Sequence, residues 1–313
     1  GLIQCLAVLG TWVATGGISL YFYLHSLWVP MVVACYVHSM VFCFMGLEAA
    51  VHELSHGTPF KTRRLNDFFY GLFSFLTWAD PIYFRHSHGK HHQHTVLEGQ
   101  DKEVILTPAP MSWKDYLSWW LFDYKKAKAV WLPVFARFIG RDRPDTFFWD
   151  PLFEKEDPRR RASFWWCRFL VLGHLALAIV FALNGLWVLI YLVSLGYWFG
   201  GFFSRSCGMM QHIGLTPNVR DWRVSSRTVL MGQPVRFLYW NMNYHIEHHM
   251  YAAVPFYNLP KLHRAIAHDT PTPVKGFFRG FAHLVDLQRR QRRDPTYTYK
   301  PEFPPTATPP ETD

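Results

Sequence analysis

No charged residue occurs in residues 1–47, and between 162 and 204 the only one is Arg168. Stretches of that length without charge cannot cover a water-facing surface, which excludes a soluble N-terminal domain and points to the membrane. Cysteine is scarce, and its spacing is unpaired. Cys5, Cys35, Cys43, Cys167 and Cys207 never form a Cys-x-x-Cys pair, so a disulfide framework and a cysteine zinc site are both excluded, and the five read as small buried residues. The net charge of +9 comes with no nucleic-acid recognition motif. Its Lys and Arg lie between and after the apolar stretches, as the positive-inside rule places them, so the charge reads as topology and contact with anionic lipid, with no nucleic-acid partner. The first apolar stretch lacks a basic n-region and a clear cleavage site, and is read as a span, not a signal peptide.

What is present is apolar and aromatic. Hydrophobic residues make up 50% and aromatics 18% of the chain, with 14 Trp, while the mean hydropathy is −0.02, so long apolar runs must be balanced by strongly polar ones. The runs at 2–27, 31–51, 162–183 and 185–203 are expected to be four transmembrane helices. Tyr21, Tyr23 and Trp28 suit an interface, and Arg168 sits near enough to a helix end to snorkel. Residues 65–84 are interrupted by Asn66, Asp67, Asp80 and Pro81, and read as an interfacial or re-entrant segment. Residues 113–138 mix Trp, Leu and Phe with Lys and Asp, as amphipathic helices on a membrane surface do. The whole reads as an all-α integral membrane protein, one domain over residues 1–300 with a disordered Pro/Thr-rich tail at 301–313. Turns near His25 and Asn184 carry no Lys or Arg, whereas the loops bearing the histidine clusters are basic. That asymmetry places every cluster on the cytoplasmic face.

The histidines carry the chemistry. His88, His91 and His92 take the spacing i, i+3, i+4, which puts three imidazoles on one helix face, and the spacing returns at His245, His248 and His249. With His52 and His56 at i, i+4, eight imidazoles are available, more than the three or four protein ligands of a mononuclear zinc site. Two metals are implied. Imidazole suits iron, zinc, copper and nickel alike, and iron is favoured because a pair of irons can also activate dioxygen. His52-Glu53-Leu54-Ser55-His56 also matches the zinc metalloprotease pattern, with Glu53 as general base, but that reading leaves the other histidines unexplained. A metal transporter would need ionisable residues inside the spans, which hold almost none. His86, Asp80, Asp101, Asn243, Glu53 and Glu247 are candidates to hold imidazole N–H groups behind the ligands, against plain capping or surface roles. His38 and His174 read as helix histidines with satisfied rings, and His263, His268 and His283 as surface residues.

The order His52-x-x-x-His56, His88-x-x-His91-His92, His245-x-x-His248-His249 resembles the three histidine boxes of the integral-membrane fatty acid desaturase and hydroxylase superfamily. Tyr83-Phe84-Arg85 before the second box and Val254-Pro255-Phe256-Tyr257-Asn258-Leu259-Pro260 after the third are similar as well. The resemblance implies four transmembrane helices with a cytosolic helical cap holding two iron ions, and a further histidine between the last span and the third box, the place of His212. It implies O2 as co-substrate and removal of hydrogen from an unactivated carbon of a membrane lipid or other apolar substrate. Desaturation gives an alkene and hydroxylation, as in alkane-type monooxygenases, an alcohol. Two electrons must arrive from outside. The chain carries no His-Pro-Gly-Gly haem motif, no rubredoxin cysteine pair and no nucleotide fingerprint, so a separate ferredoxin, rubredoxin or cytochrome b5 type donor with its reductase is implied.

Overall fold

The structure is a computed structural model that describes residues 1–104, 111–143 and 151–311. In chain order the helices are α1 (Leu2–Leu24), α2 (Trp28–Phe42), α3 (Ala50–Ser55), α4 (Arg63–Leu76), α5 (Pro81–His94), α6 (Trp113–Trp120), α7 (Tyr124–Phe138) and α8 (Pro158–Leu183). They continue with α9 (Trp187–Ile190), α10 (Phe202–His212), α11 (Trp222–Ser225), α12 (Gln233–Leu238), α13 (His245–Met250), α14 (Leu259–Ile266) and α15 (Phe277–Arg293). Among the described residues the only strands are β1 (Val229–Leu230) and β2 (Val274–Lys275), which pair in parallel. The chain divides into two compact units, Gly1–His86 with Asp115–Ser204, and Ser87–Lys114 with Arg205–Asp313.

The first unit contains three helical runs long and apolar enough to cross a membrane: Leu2–Leu24, Trp28–Ser55 and Pro158–Leu183. Their outward faces are apolar to a degree no water-facing helix tolerates, with Ile3 85%, Val29 76% and Leu183 82% exposed. Two histidines within these runs have both ring nitrogens satisfied by neighbours, as the bilayer favours. His38 meets Thr15 Oγ1 at 3.0 Å through Nδ1 and Leu192 O at 2.9 Å through Nε2. His174 meets Ser194 Oγ at 2.8 Å and Phe75 O at 2.9 Å, its ring stacked between Trp78 and Phe75. Both match the expectation for helix histidines.

The expected fourth helix over 185–203 is not continuous. Trp187–Trp198 is a short apolar helix in which α9 passes into a π-helical turn at Tyr191–Leu195 and a 3-10 turn at Gly196–Trp198. Twelve residues at about 1.5 Å each reach about 18 Å, short of a hydrocarbon core of about 30 Å. Widening the turn re-aims backbone carbonyls, and two of them are taken by side chains: Leu192 O by His38 and Ser194 O by Trp78 Nε1 at 2.8 Å. The expected segment 65–84 is also divided. α4 buries Phe69, Tyr70, Phe73 and Leu76 along one stripe, then breaks at Trp78, whose φ of 61° lies in the left-handed region.

Asp80 explains where the next helix begins. Its Oδ1 accepts from the Ile82 and Tyr83 N–H groups at 3.1 Å, and Pro81 fills the first helical position, where the missing N–H costs nothing. Its Oδ2 accepts from Ser163 Oγ and lies 3.7 Å from Arg137 Nη1. Of the two roles weighed for Asp80, behind a ligand or at a helix cap, the geometry is that of the cap: it is an N-cap and a buried ion-pair partner.

The second unit is built around α15, which buries Phe277, Leu284 and Leu287. Gly280 lets α15 approach closely, since a side chain there would run into Met210 and Val229. Residues 301–311 differ from the expected disordered tail. Thr308 bonds Asp269 Oδ1 through its N–H at 2.7 Å and its hydroxyl at 2.8 Å, and accepts from Arg223 Nη1 at 2.8 Å. Glu302 O accepts from Thr272 N. Hydrogen bonding to fixed partners orders a segment whose composition alone suggests disorder; Thr312 and Asp313 lie outside the described residues.

Candidate metal centre

In the first unit His52 lies on α3 and His56 at its C-cap, one turn apart, with rings 5.5 Å from each other. Gly46, before this helix, permits close packing, because any side chain there would run into the Tyr197 hydroxyl. Gly57 follows at φ +74° and ends the helix. Glu53 is fully buried and accepts from Thr58 Oγ1 at 2.8 Å. A hydrolytic base needs access to water, so Glu53 does not fit that role.

Seven of the nine predicted ligands belong to the second unit. His88, His91 and His92 come from α5, His212 from the end of α10, and His245, His248 and His249 from α13. α10 ends where it does because Gly214, at φ +79°, turns the chain in a conformation that other side chains resist. Two adjoining groups result. His91, His212 and His249 each offer a ligand atom within 4.8 Å of the others, and so do His88, His92 and His248. His245 joins the first group, its Nε2 lying 2.8 Å from His212 Nε2 and 3.0 Å from His249 Nε2. The groups touch where the His92 and His249 rings stack at 4.3 Å.

Acceptors behind the rings decide which nitrogen faces inward. His91 Nδ1 donates to Asp101 Oδ2 at 2.8 Å, His88 Nδ1 to Glu103 Oε1 at 2.9 Å, and His212 Nδ1 to Ser225 O at 2.9 Å. Thr95 Oγ1 donates to His91 O and so accepts from His249 Nδ1, at 3.1 Å. A proton on each Nδ1 leaves the Nε2 lone pair available, the arrangement metal-ligating histidines take. Asp101 is itself held, accepting from Val96 N and Glu103 N at 2.9 Å. Val96 supplies its N–H from φ 64°, a left-handed conformation that costs a β-branched residue about 1–3 kcal/mol.

Burial and the nearby carboxylates shift these imidazoles in opposite directions. Burial, with the neighbouring His91 and other charges, pushes His212 down to about 3, and burial with the surrounding imidazoles lowers His249, so both stay neutral donors. Burial alone would lower His91 too, but the carboxylates of Glu103 and Asp101 outweigh it and raise its pKa. Burial pushes Glu103 up to about 7. A donor set of imidazoles backed by carboxylates and carbonyls fits iron or another borderline divalent metal.

Of the residues expected behind the ligands, Asp101 is the one bonded to the ring of a box histidine, His91. His86 is not so placed: its Nδ1 bonds Ile82 O on its own helix and its ring packs on Phe153. Asn243 donates to Val229 O. Glu247, fully buried, accepts from Thr228 Oγ1 at 2.6 Å and from His263 Nδ1 at 2.5 Å, so His263 is no surface residue. Sequence reasoning missed Glu103, Ser225 and Thr95. Thr95 follows the second box directly, and Glu103 follows close after Asp101 in the chain, so proximity in sequence was the available signal for these two.

Asp101→Asn keeps the shape and loses the charge. It is expected to make metal loss to a chelator about 10- to 100-fold easier; wild-type resistance in a chelator titration would contradict the role.

Residues 3–280 match the fatty acid desaturase family. The chain is 25% identical over 272 residues to the sphingolipid delta(4)-desaturase DES1 of Xenopus tropicalis, covering 83% of this chain and 71% of that protein. It is 22% identical over 293 residues to the delta(5) fatty acid desaturase fat-4 of Caenorhabditis elegans, covering 83% and 63%. With the sphingolipid delta(4)-desaturase/C4-monooxygenase DES2 of Bos taurus the identity is 26% over 224 residues, covering 68% and 59%. The histidine groups, the apolar helices and these matches agree: the chain belongs to the fatty acid desaturase family and is an integral membrane oxidoreductase.

Proposed function

We propose that the chain is an O2-dependent di-iron oxidoreductase that removes hydrogen from an unactivated C–H bond of a lipid-like substrate, acting as a fatty acyl or sphingoid desaturase. The observation that carries this reading is the pair of adjoining histidine groups whose Nδ1 atoms are held from behind. One iron would be held by His91, His212, His245 and His249, and the other by His88, His92 and His248; His52 and His56 complete the nine ligands on the strength of their place in the histidine-box order. Such a pair, when bound, supplies with dioxygen the oxidising power for C–H cleavage. The chain's own residues orient and protect. Asp101, Glu103, Ser225 and Thr95 fix the ring planes and tautomers, and the burial of His88, His91, His245, His248 and His249 keeps bulk water from the reacting centre.

The proposal extends to topology and partners. The apolar helix beginning at Trp187, too short to span by itself, would complete a fourth pass together with the residues that lead from it into α10, and the site faces the cytoplasm. Electrons come from a separate acidic donor of ferredoxin, rubredoxin or cytochrome b5 type with its reductase. The exposed Arg289, Arg290, Arg292 and Arg293 on α15 would attract it. Hydroxylation is the second reading, favoured by the relative whose name joins desaturase to C4-monooxygenase.

The test is product analysis by mass spectrometry, with membranes containing the chain given a donor, its reductase, O2 and either acyl or sphingoid lipids. An oxygen-dependent alkene is expected. An alcohol alone would select the hydroxylase reading, and neither product with any lipid class would contradict both.

A further inference from the structure

A buried cation close to the histidine groups is used by nothing described above. Arg227 is only 6% exposed, yet among the described residues no carboxylate lies against it. Its partners are two backbone carbonyls. Nη1 donates to Met210 O at 2.9 Å and Nη2 to Ile213 O at 3.1 Å. These carbonyls bracket His212 at the C-terminal end of α10, where helical acceptors lack intrahelical donors and a positive charge is favoured by the helix dipole.

Packing alone does not account for an arginine here. Burying a cation against neutral acceptors is costly, and an apolar residue of similar volume commonly serves stability as well or better. Arg227 also borders two small cavities, one lined by Cys207, Met231 and Met242 and the other by Leu215, Ile246 and Tyr299, so it does not fill its surroundings. What the guanidinium does supply is a planar fork that holds two carbonyls at once.

The neighbours of Arg227 in sequence act on the same parts. Ser225 O accepts from His212 Nδ1, fixing the ring while Arg227 fixes the backbone that carries it. Thr228 Oγ1 donates to Glu247 and accepts from Ile246 N at 3.3 Å. Val229 N donates to Asn243 O, and Asn243 Nδ2 donates back to Val229 O. Residues 225–229 thus tie the end of α10 to the start of α13.

We propose that Arg227 is a positioning residue for the metal centre, its guanidinium clamping the last turn of α10 so that His212 is held in register with His245 and His249. The inference rests on the reading of His212 as a metal ligand. Arg227 touches no substrate and no metal; it acts through His212.

The test uses the detergent-purified full chain as wild type, Arg227→Gln, Arg227→Lys and His212→Ala. Two quantities are read for each: retention of ferrous iron against a chelator, and the rise in thermal midpoint that iron produces over the stripped protein. Arg227→Gln is expected to lose iron about 10-fold or more readily and to show a smaller iron-dependent rise. Arg227→Lys keeps the charge but cannot span both carbonyls, and is expected to fall between. If Arg227→Gln lowers the loaded and stripped midpoints equally and retains iron like wild type, the residue is merely structural and the proposal is overturned. Should Arg227→Gln fail to fold, Arg227→Lys decides, since wild-type retention there removes the need for the clamp. His212→Ala separates the two ideas: wild-type iron retention in that variant sinks the ligand assignment itself, whereas loss there with full retention in the Arg227 variants sinks only the clamp.

Discussion

His249→Ala is expected to abolish oxygen-dependent product formation and to release metal more readily than any change behind the ligands, by more than about 100-fold. The reason is position. The His249 ring stacks on His92 at 4.3 Å and meets His91 at 5.0 Å and His212 at 4.9 Å, so it adjoins both histidine groups. Thr95 fixes its tautomer, and its Nε2 lies 3.0 Å from that of His245. Alanine would remove one nitrogen donor and open a gap between the groups. Activity and iron retention should fall together, while the exposed His25 at the C-cap of α1, whose Nδ1 bonds Tyr21 O, should tolerate alanine with no change in either. A His249→Ala protein with wild-type activity would refute the placement of the centre.

The second large effect concerns stability. Asp80→Ala is expected to destabilise the fold by about 3–5 kcal/mol, the range found when one member of a buried ion pair is removed. Three functions are lost at once. The first turn of α5 loses its cap at Ile82 and Tyr83, Ser163 loses its acceptor, and the Arg137 guanidinium, buried over the Tyr83 ring, loses its carboxylate. Asp80→Asn keeps the cap acceptor and should cost less. Denaturation of the detergent-solubilised variants measures both, and a change below about 1 kcal/mol in Asp80→Ala would contradict this account.

The sequence disclosed the metal centre more fully than it disclosed the fold around it. Repeated i, i+3, i+4 spacing identifies candidate ligands because a helix turns a short pattern into a common face, and that geometry is local. His212 stands outside such a pattern and came only from the family resemblance. Ser225 was invisible because its role depends on the chain turn after Gly214, which brings distant backbone to the His212 ring, whereas Glu103 offered only its nearness to Asp101 in sequence. Asp80 was left between two roles because a carboxylate before a proline can cap a helix or back a ligand, and only tertiary neighbours such as Arg137 distinguish them. The apolar run over 185–203 had the composition of a span, but composition does not register a π-helical turn whose carbonyls are claimed by His38 and Trp78. The Pro/Thr-rich end looked unstructured because its order comes from Arg223 and Asp269, far away in sequence.

Metal content is the most direct test of the central claim. Protein expressed with ample iron and purified in detergent would be analysed by mass spectrometry beside a His91→Ala/His248→Ala double variant, which removes one nitrogen donor from each group. The account predicts about two irons per chain in the wild type and their loss in the variant. A single zinc per chain, kept in the double variant and lost in His52→Ala, would contradict it.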